Sequence, residues 1–271
     1  MTSSYDWVPD GVDVTVPDAA RVYDYALGGV HNFAVDREFF ARAEKSMPGV
    51  RAMARANRAF LGRAVRELTA AGVTQFLDIG SGIPTLGNVH EAAQEANPLA
   101  RVMYVDRDPI AVQQSRALLH GNRLTRVIEA DLREVDTILY HRDVLDLLDF
   151  AQPIAVLLVA VLHFIPDSDQ PAAIISHLAD ALGSGSYLVI SHGGPDDSAD
   201  KRAGQEDVRK LYERTSTPVT LRDRAELAAL IDDRFELVEP GLVAATDWRP
   251  EPDEADDPPQ PAALVAVARR R

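Results

Sequence analysis

The 271-residue sequence contains no cysteine. That excludes a disulfide framework and a thiolate nucleophile. It has no apolar run near the roughly 18 residues that a membrane span requires. The densest stretch, Ile154 to Ile165, is interrupted by His163. Met1 to Val16 is polar and acidic and lacks the charged-then-apolar pattern of a secretory signal, so a cytoplasmic location without a membrane partner is expected. Basic residues are in deficit, with 28 Lys and Arg against 42 Asp and Glu and a formal net charge of −14. This balance, with no aromatic-interleaved basic stripe, opposes nonspecific binding to nucleic acid or anionic lipid. There is no GxxxxGK[ST] phosphate loop. His90, His120, His141 and His177 lack metal-like spacing, so no metal is expected.

What is present is core material: 46% hydrophobic residues with 26% charged, a globular composition. From Val50 to Leu68, apolar residues recur at helical spacing and Gly72 can end the helix. An arginine set (Arg37, Arg42, Arg51, Arg55, Arg58, Arg63, Arg66) is read mainly as a solvated helix face, with a minority able to hold an anionic group. Strands and helices then alternate. Strands are expected at Thr74–Ile79, Arg101–Asp106, Leu124–Ala130, Ile154–Ala160 and Tyr187–Ser191. An Ala-rich helix should end before Pro98, another should start at Pro109, and a third should span Ala172–Leu182. Such units imply a parallel sheet covered on both faces. After a helix at Arg222–Ile231, strands Phe235–Val238 and Leu264–Ala268 lack an intervening helix and should be antiparallel neighbours. The acidic, Pro-rich stretch Arg249–Pro261 between them reads as a surface loop. Residues 1–72 form a helical cap of the same domain as the ligand-binding core, 73–271.

Three strand ends carry ligand chemistry. Asp78-Ile79-Gly80-Ser81-Gly82 delivers an acidic residue and then a tight turn through which backbone can approach a ligand. Such turns serve NAD, flavin and S-adenosylmethionine alike. Asp106, ending the second strand, is placed to accept both ribose hydroxyls, Arg107 to lie along an adenine face, and Asp108 to cap the helix begun by Pro109. At Glu129-Ala130-Asp131-Leu132 a carboxylate can accept from an adenine amino group while the Leu132 N–H donates to a ring nitrogen. Each piece also has a purely structural reading as a turn or a cap.

The fourth strand end discriminates. Val159-Ala160-Val161-Leu162-His163-Phe164-Ile165-Pro166-Asp167 is not required by a dehydrogenase fingerprint, but resembles the Leu-His-x-x-Pro-Asp stretch of many class I methyltransferases. The whole chain resembles the actinobacterial family of S-adenosyl methyltransferases first described as a domain of unknown function. The motifs that carry the resemblance are Ala20 to Gly29 with Asn32-Phe33 and Asp36-Arg37; Asp78 to Thr85 with Asn88 to Glu91; Tyr104-Val105-Asp106; Val161 to Pro166; Ser191-His192; and Pro240-Gly241-Leu242 with Trp248-Arg249-Pro250. Asp232 to Phe235 departs from it where a Gly-containing turn is expected.

The resemblance implies a Rossmann-like class I α/β fold: a mostly parallel seven-stranded sheet with an antiparallel C-terminal strand. It implies S-adenosylmethionine at Gly80, Ser81, Gly82, Asp106 and Asp131, with Asp78 and Ala160 beside them, and methyl transfer to an acceptor that it does not identify. A small molecule fits the acidic balance. His163 and His192 follow the fourth and fifth strands and are the candidate bases, if the acceptor must lose a proton; either can instead be structural. Tyr23 to Asn32 reads as a lid with a hinge or tight turn at Gly28-Gly29 and with Tyr23 or Asn32 reaching the ligand, or as a plain capped helix. Two other functions stay open: a binding protein that has lost catalysis, and an NAD(P)-dependent oxidoreductase. Against the latter, Gly80-x-Gly82 is followed by Ile83-Pro84-Thr85 without the third glycine.

Overall fold

The strands form where short apolar runs must be buried on both faces. In β1 (Gln75–Ile79) and β4 (Ala155–Val159) every residue is buried, as central strands of a covered sheet require. The structure, a computed structural model, describes residues 7–9, 11–85, 87–194, 199–213, 215, 217–251 and 263–271. The other strands are β2 (Arg101–Asp106), β3 (Thr125–Glu129), β5 (Tyr187–Gly193), β6 (Phe235–Leu237), β7 (Val243–Ala244) and β8 (Ala263–Arg270). The sheet order is β3-β2-β1-β4-β5-β8-β6, with the short β7 also on β8. β1 to β5 pair in parallel, whereas β8 is antiparallel to both β5 and β6. The expected antiparallel C-terminal strand is therefore present, inserted between β5 and β6. The two-residue β7 is an eighth strand beyond the seven expected.

Helices α1 (Ala19–Ala26), α2 (Ala34–Ser46) and α3 (Val50–Ala70) precede the sheet. They are followed by α4 (Val89–Ala96), α5 (Pro109–Leu118), α6 (Val135–Leu139), α7 (Arg142–Leu147), α8 (Pro171–Ala181), α9 (Ala199–Tyr212) and α10 (Arg224–Leu230). Alternation along the strands divides the core in two. Leu77, Met103, Val156 and Ile190 pack with α6, α7, α8 and α10. Phe76, Val102, Leu157 and Val189 pack on the other face with α3, α4 and α5. Each fully buried side chain of this kind contributes roughly 1.5–3 kcal/mol. Helices α6, α7 and α9 were not anticipated; the first two have only five and six residues, too few for a periodic signal. The Pro-rich loop falls largely on residues 252–262, outside the described residues.

The cap is sewn to the core by α3. Arg63, 4% exposed, donates to the carbonyls of Trp248 (3.0 Å) and Ala245 (2.6 Å) near the C-terminus. Arg51 donates to the carbonyls of Tyr25 and Ala26 (3.1 Å each) and lies 4.4 Å from the Phe40 ring centre. Neither is part of a solvated face, although Arg42 and Arg55 are exposed. A helix period assigns a face but does not say what packs there.

Candidate functional site

The strand order reverses direction between β1 and β4, and α/β sheets open a crevice at the carboxyl ends of such strands. Here that crevice is a cavity of about 270 Å³ lined by both strand ends, the end of β2, the β3–α6 loop and the cap helices. The Gly turn is anchored to β2. Gly80 and Ser81 N–H donate to Val105 O at 2.8 and 3.2 Å, and Gly82 N–H donates to Asp106 Oδ2 at 2.7 Å. Gly80 has φ +77°, and a Cβ there would lie 2.5 Å from Val161 Cγ2. The glycine is thus demanded by the packing of β1 against the β4 end, not only by a ligand's approach. Gly82 is different: a Cβ there would meet nothing within 4 Å, so its backbone borders open space in the cavity wall.

Asp106 is 6% exposed and accepts from Asp108 N–H (2.8 Å) as well as from Gly82. Burial raises its pKa against those two backbone bonds. Asp108 caps α5 through Ile110 N–H (2.7 Å), with Pro109 in the first turn. Burial and the neighbouring Asp18 carboxylate push Asp108 up to about 7. Asp131 lines the cavity and is gripped by Arg133, with Arg107 3.6 Å away; Arg107 and the buried Leu132 line it too. Asp78 is 5% exposed, and burial pushes it up to about 7 against the pull of Arg58. Ala160 sits at φ +58°, its N–H donating to Ser191 Oγ at 2.8 Å. A side chain held in this left-handed conformation stores roughly 1–2 kcal/mol, maintained by the two strands around it.

The cap residues divide. Tyr23 lines the cavity; its hydroxyl donates to Ala54 O (3.2 Å) and accepts from Asn57 Nδ2 (2.9 Å). Asn32 does not line it. Its amide donates to Asp24 Oδ2 and Gly29 O (2.9 Å each), and its Oδ1 accepts from Arg37 (3.0 Å). The expectation that Asn32 reaches the ligand is therefore corrected: it braces the turn after α1. The same contacts favour the tight turn over the hinge at Gly28-Gly29. Gly29 N–H donates to Asp24 O at 2.8 Å, and a Cβ on Gly29 would lie 1.9 Å from Asp24 Oδ1. This is a locked turn, and what faces the cavity is α1 itself, through Ala19, Val22, Tyr23 and Ala26.

His163 and His192 come together in the wall, ring centres 5.6 Å apart and perpendicular. They are not equivalent. A guanidinium can only donate, so Arg222 Nη1, 3.2 Å from His192 Nε2, engages that lone pair. His192 Nδ1 must then carry the proton, which it donates to Gly193 O at 2.7 Å. With both nitrogens committed and 1% exposure, His192 is corrected from candidate base to a braced structural residue. Burial, with the charge of Arg222 also against the cation, pushes it down to about 4. His163 Nδ1 is buried with no partner among the described residues, while part of the side chain faces the cavity. Burial pushes this imidazole down to about 3, so it is neutral at physiological pH.

Sequence reading left Arg58 unresolved within the arginine set and missed two kinds of residue. On α3, Val50, Met53, Ala54, Asn57, Arg58 and Leu61 all line the cavity. Their spacing is a single helical stripe, so Asn57 and Arg58 interrupt the inward apolar face, a detectable signal. Arg58 lies 5.6 Å from the Tyr23 ring centre, and its Nε and Asn57 Oδ1 are buried without partners among the described residues, as is Ser81 Oγ. The other miss is an aromatic wall from α2, α9 and the turn after β4. Val208, Leu211 and Tyr212 on α9 do have helical spacing, but the helix is otherwise polar.

This fold is the class I methyltransferase type: a mostly parallel sheet with its ligand crevice between β1 and β4 and a reversed strand inserted beside β5. The sequence profile of the S-adenosyl methyltransferase family matches residues 5–271, and the chain belongs to that family. A crystal structure of a protein from Thermobifida fusca is 38% identical, with TM-score 0.88 over 98% of this chain and 99% of that one. A DUF574 family protein from Streptomyces avermitilis is also 38% identical, with TM-score 0.89 over 96% and 99%. TnmH, 17% identical with TM-score 0.54 over 82% of this chain and 57% of its own, shares the fold. A comparison with curated proteins finds no match. Membership implies S-adenosylmethionine and sets aside the oxidoreductase alternative.

Proposed function

We propose that the chain transfers a methyl group from S-adenosylmethionine, held at the Gly80–Gly82 turn, to a small-molecule acceptor held beside His163. The observation that carries the reading is the set of buried polar atoms without partners in the cavity wall: Asn57 Oδ1, Arg58 Nε, Ser81 Oγ and His163 Nδ1. Unsatisfied buried groups are costly and call for an explanation. The first three complement an amino-acid zwitterion, with Arg58 for its carboxylate and Asn57 Oδ1 with Asp78 for its ammonium. Asp106 retains lone pairs for ribose hydroxyls, since each carboxylate oxygen can accept more than one bond. Asp131 and Leu132 would hold the adenine edge, with Arg107 along its face, and Gly82 and Ala160 would border the bound molecule.

When bound, S-adenosylmethionine supplies an electrophilic methyl group on a sulfonium. The chain's own residues do the rest. The carboxylates of Asp78 and Asp106 provide a negative field suited to a cationic ligand. Helix α1 covers the crevice and excludes water, which strengthens every electrostatic contact inside. The neutral imidazole of His163 orients the acceptor through a ring nitrogen. Alignment of reactants in such a closed site can supply several kcal/mol of the barrier, up to about 7–11.

Calorimetry with S-adenosylhomocysteine tests cofactor binding. Micromolar binding is expected, together with slower backbone hydrogen exchange in residues 19–26; no binding refutes the reading. Transfer of labelled methyl from S-adenosylmethionine over a metabolite panel then tests turnover. Binding without transfer to any member favours the catalytically silent alternative.

A further inference from the structure

The cavity has a second side, away from the Gly turn, whose wall is built of rings. His163 lies 4.3 Å from Phe164, Phe164 lies 5.8 Å from Tyr212, and Tyr212 lies 4.8 Å from Phe39, centre to centre. All four line the cavity, with Val219 and Leu221 between them and the end of β5. Core, cap and α9 therefore contribute to one aromatic surface, joined to His192 through the perpendicular histidine pair.

The charges on this side are already satisfied within the protein. Arg209 is bound by Glu206 and Glu213 at 2.7 Å each. Arg222 is held by Asp167, Leu162 O, Ile165 O and His192. Gln205 donates to Gly194 O at 2.8 Å. An anionic acceptor would find no free cation on this side among the described residues, and would meet the Asp18 carboxylate, whose charge acts on Tyr212. A hydroxyl suits His163 in either neutral tautomer, because it can both donate and accept. A flat ring laid against this aromatic wall gains stacking and edge contacts beyond area burial.

Resting on the methyltransferase reading above, we infer that the acceptor is a planar aromatic molecule without negative charge whose hydroxyl hydrogen-bonds His163. It slots against Phe39, Phe164 and Tyr212, and the same hydroxyl is the atom presented for methylation. His163 acts as discriminator by holding the hydroxyl through a ring nitrogen, the hydroxyl proton leaves to solvent after methyl transfer, and the aromatic wall sets the class of ring system.

The test is calorimetric titration of the full chain, saturated with S-adenosylhomocysteine, using 2-naphthol, 2-naphthoate and naphthalene. 2-Naphthol is expected to bind at least tenfold tighter than either of the others. In His163→Phe, which keeps an aromatic ring in the wall, the preference for 2-naphthol over naphthalene should collapse to within about twofold while S-adenosylhomocysteine affinity stays unchanged. Equal or tighter binding of 2-naphthoate, absence of 2-naphthol binding, or retention of the hydroxyl preference by the variant overturns the inference. Failure of S-adenosylhomocysteine to bind the unaltered chain overturns the methyltransferase reading instead, so the two failures are distinct.

Discussion

Replacing Arg58 by Gln removes the guanidinium whose charge acts on Asp78 and shortens the side chain while keeping it polar and unbranched at Cβ and Cγ. Arg58 Nε has no hydrogen-bond partner among the described residues, so the unliganded fold loses the contact 5.6 Å from the Tyr23 ring centre, about 0.5–2 kcal/mol, and the charge that acts on the buried Asp78. The liganded state loses a charge-assisted hydrogen bond to the cofactor carboxylate, about 1.5–3 kcal/mol, or roughly 10- to 150-fold in affinity. Two ligands isolate that contact. S-Adenosylhomocysteine carries the amino-acid tail; 5′-methylthioadenosine has the same nucleoside and a thioether but no tail. Calorimetry of Arg58→Gln should show the tenfold or greater loss for the first and less than about threefold change for the second. Continued binding of 5′-methylthioadenosine also certifies that the variant is folded. An equal loss for both ligands, or none for either, refutes the assignment of Arg58 to the tail.

Asp106→Asn keeps the side-chain shape but removes the charge and one acceptor that now serves Gly82 N–H; weakening of both ligands together is expected, again by about 1.5–3 kcal/mol, and calorimetry reads it directly. Gly80→Ala should lower Tm by several degrees before any ligand is added, because its Cβ would sit 2.5 Å from Val161 Cγ2 and overpacking costs about 1–3 kcal/mol. Adding Val161→Ala should restore part of that loss, whereas no rescue in differential scanning calorimetry contradicts the steric cause. The histidines set an acid limit on stability. His192 falls from 6.5 to about 4 in the folded chain, so below pH 6.5 the unfolded chain binds more protons and stability drains away as pH falls towards 4. At about 1.4 kcal/mol per pH unit the full effect is about 3 kcal/mol. Asp78, pushed up to about 7, acts in the opposite sense, its stabilisation being lost as pH rises through 7. The discriminating measurement is therefore the urea-unfolding difference between wild type and His192→Gln, which should shrink from pH 7 to pH 4. A pH-independent difference removes His192 from the acid limit.

The five parallel strands and the sheet edge that carries the candidate site were legible in the sequence. Strand Arg101–Asp106 was legible to the residue because its apolar run is bounded by a carboxylate and a helix-starting proline, all within a few positions. Gly80, Asp106 and Asp131 were readable as an edge because each terminates a strand, and parallel strands bring such ends together. Tertiary structure alone decided what those local signals could not contain. Whether His163 or His192 is free depends on Arg222, 30 residues beyond His192. Arg58 and Arg63 share a helix, yet one meets a cavity and the other two carbonyls more than 180 residues away. Asn32 has the composition of a ligand contact but is consumed by Asp24 and Gly29. The aromatic wall draws Phe39, Phe164 and Tyr212 from segments that share no sequence pattern. Periodicity is fixed by the backbone over one or two turns, so it survives in the sequence. The partner of a buried polar or aromatic side chain is chosen by long-range packing, which exists only once the cap has closed on the sheet.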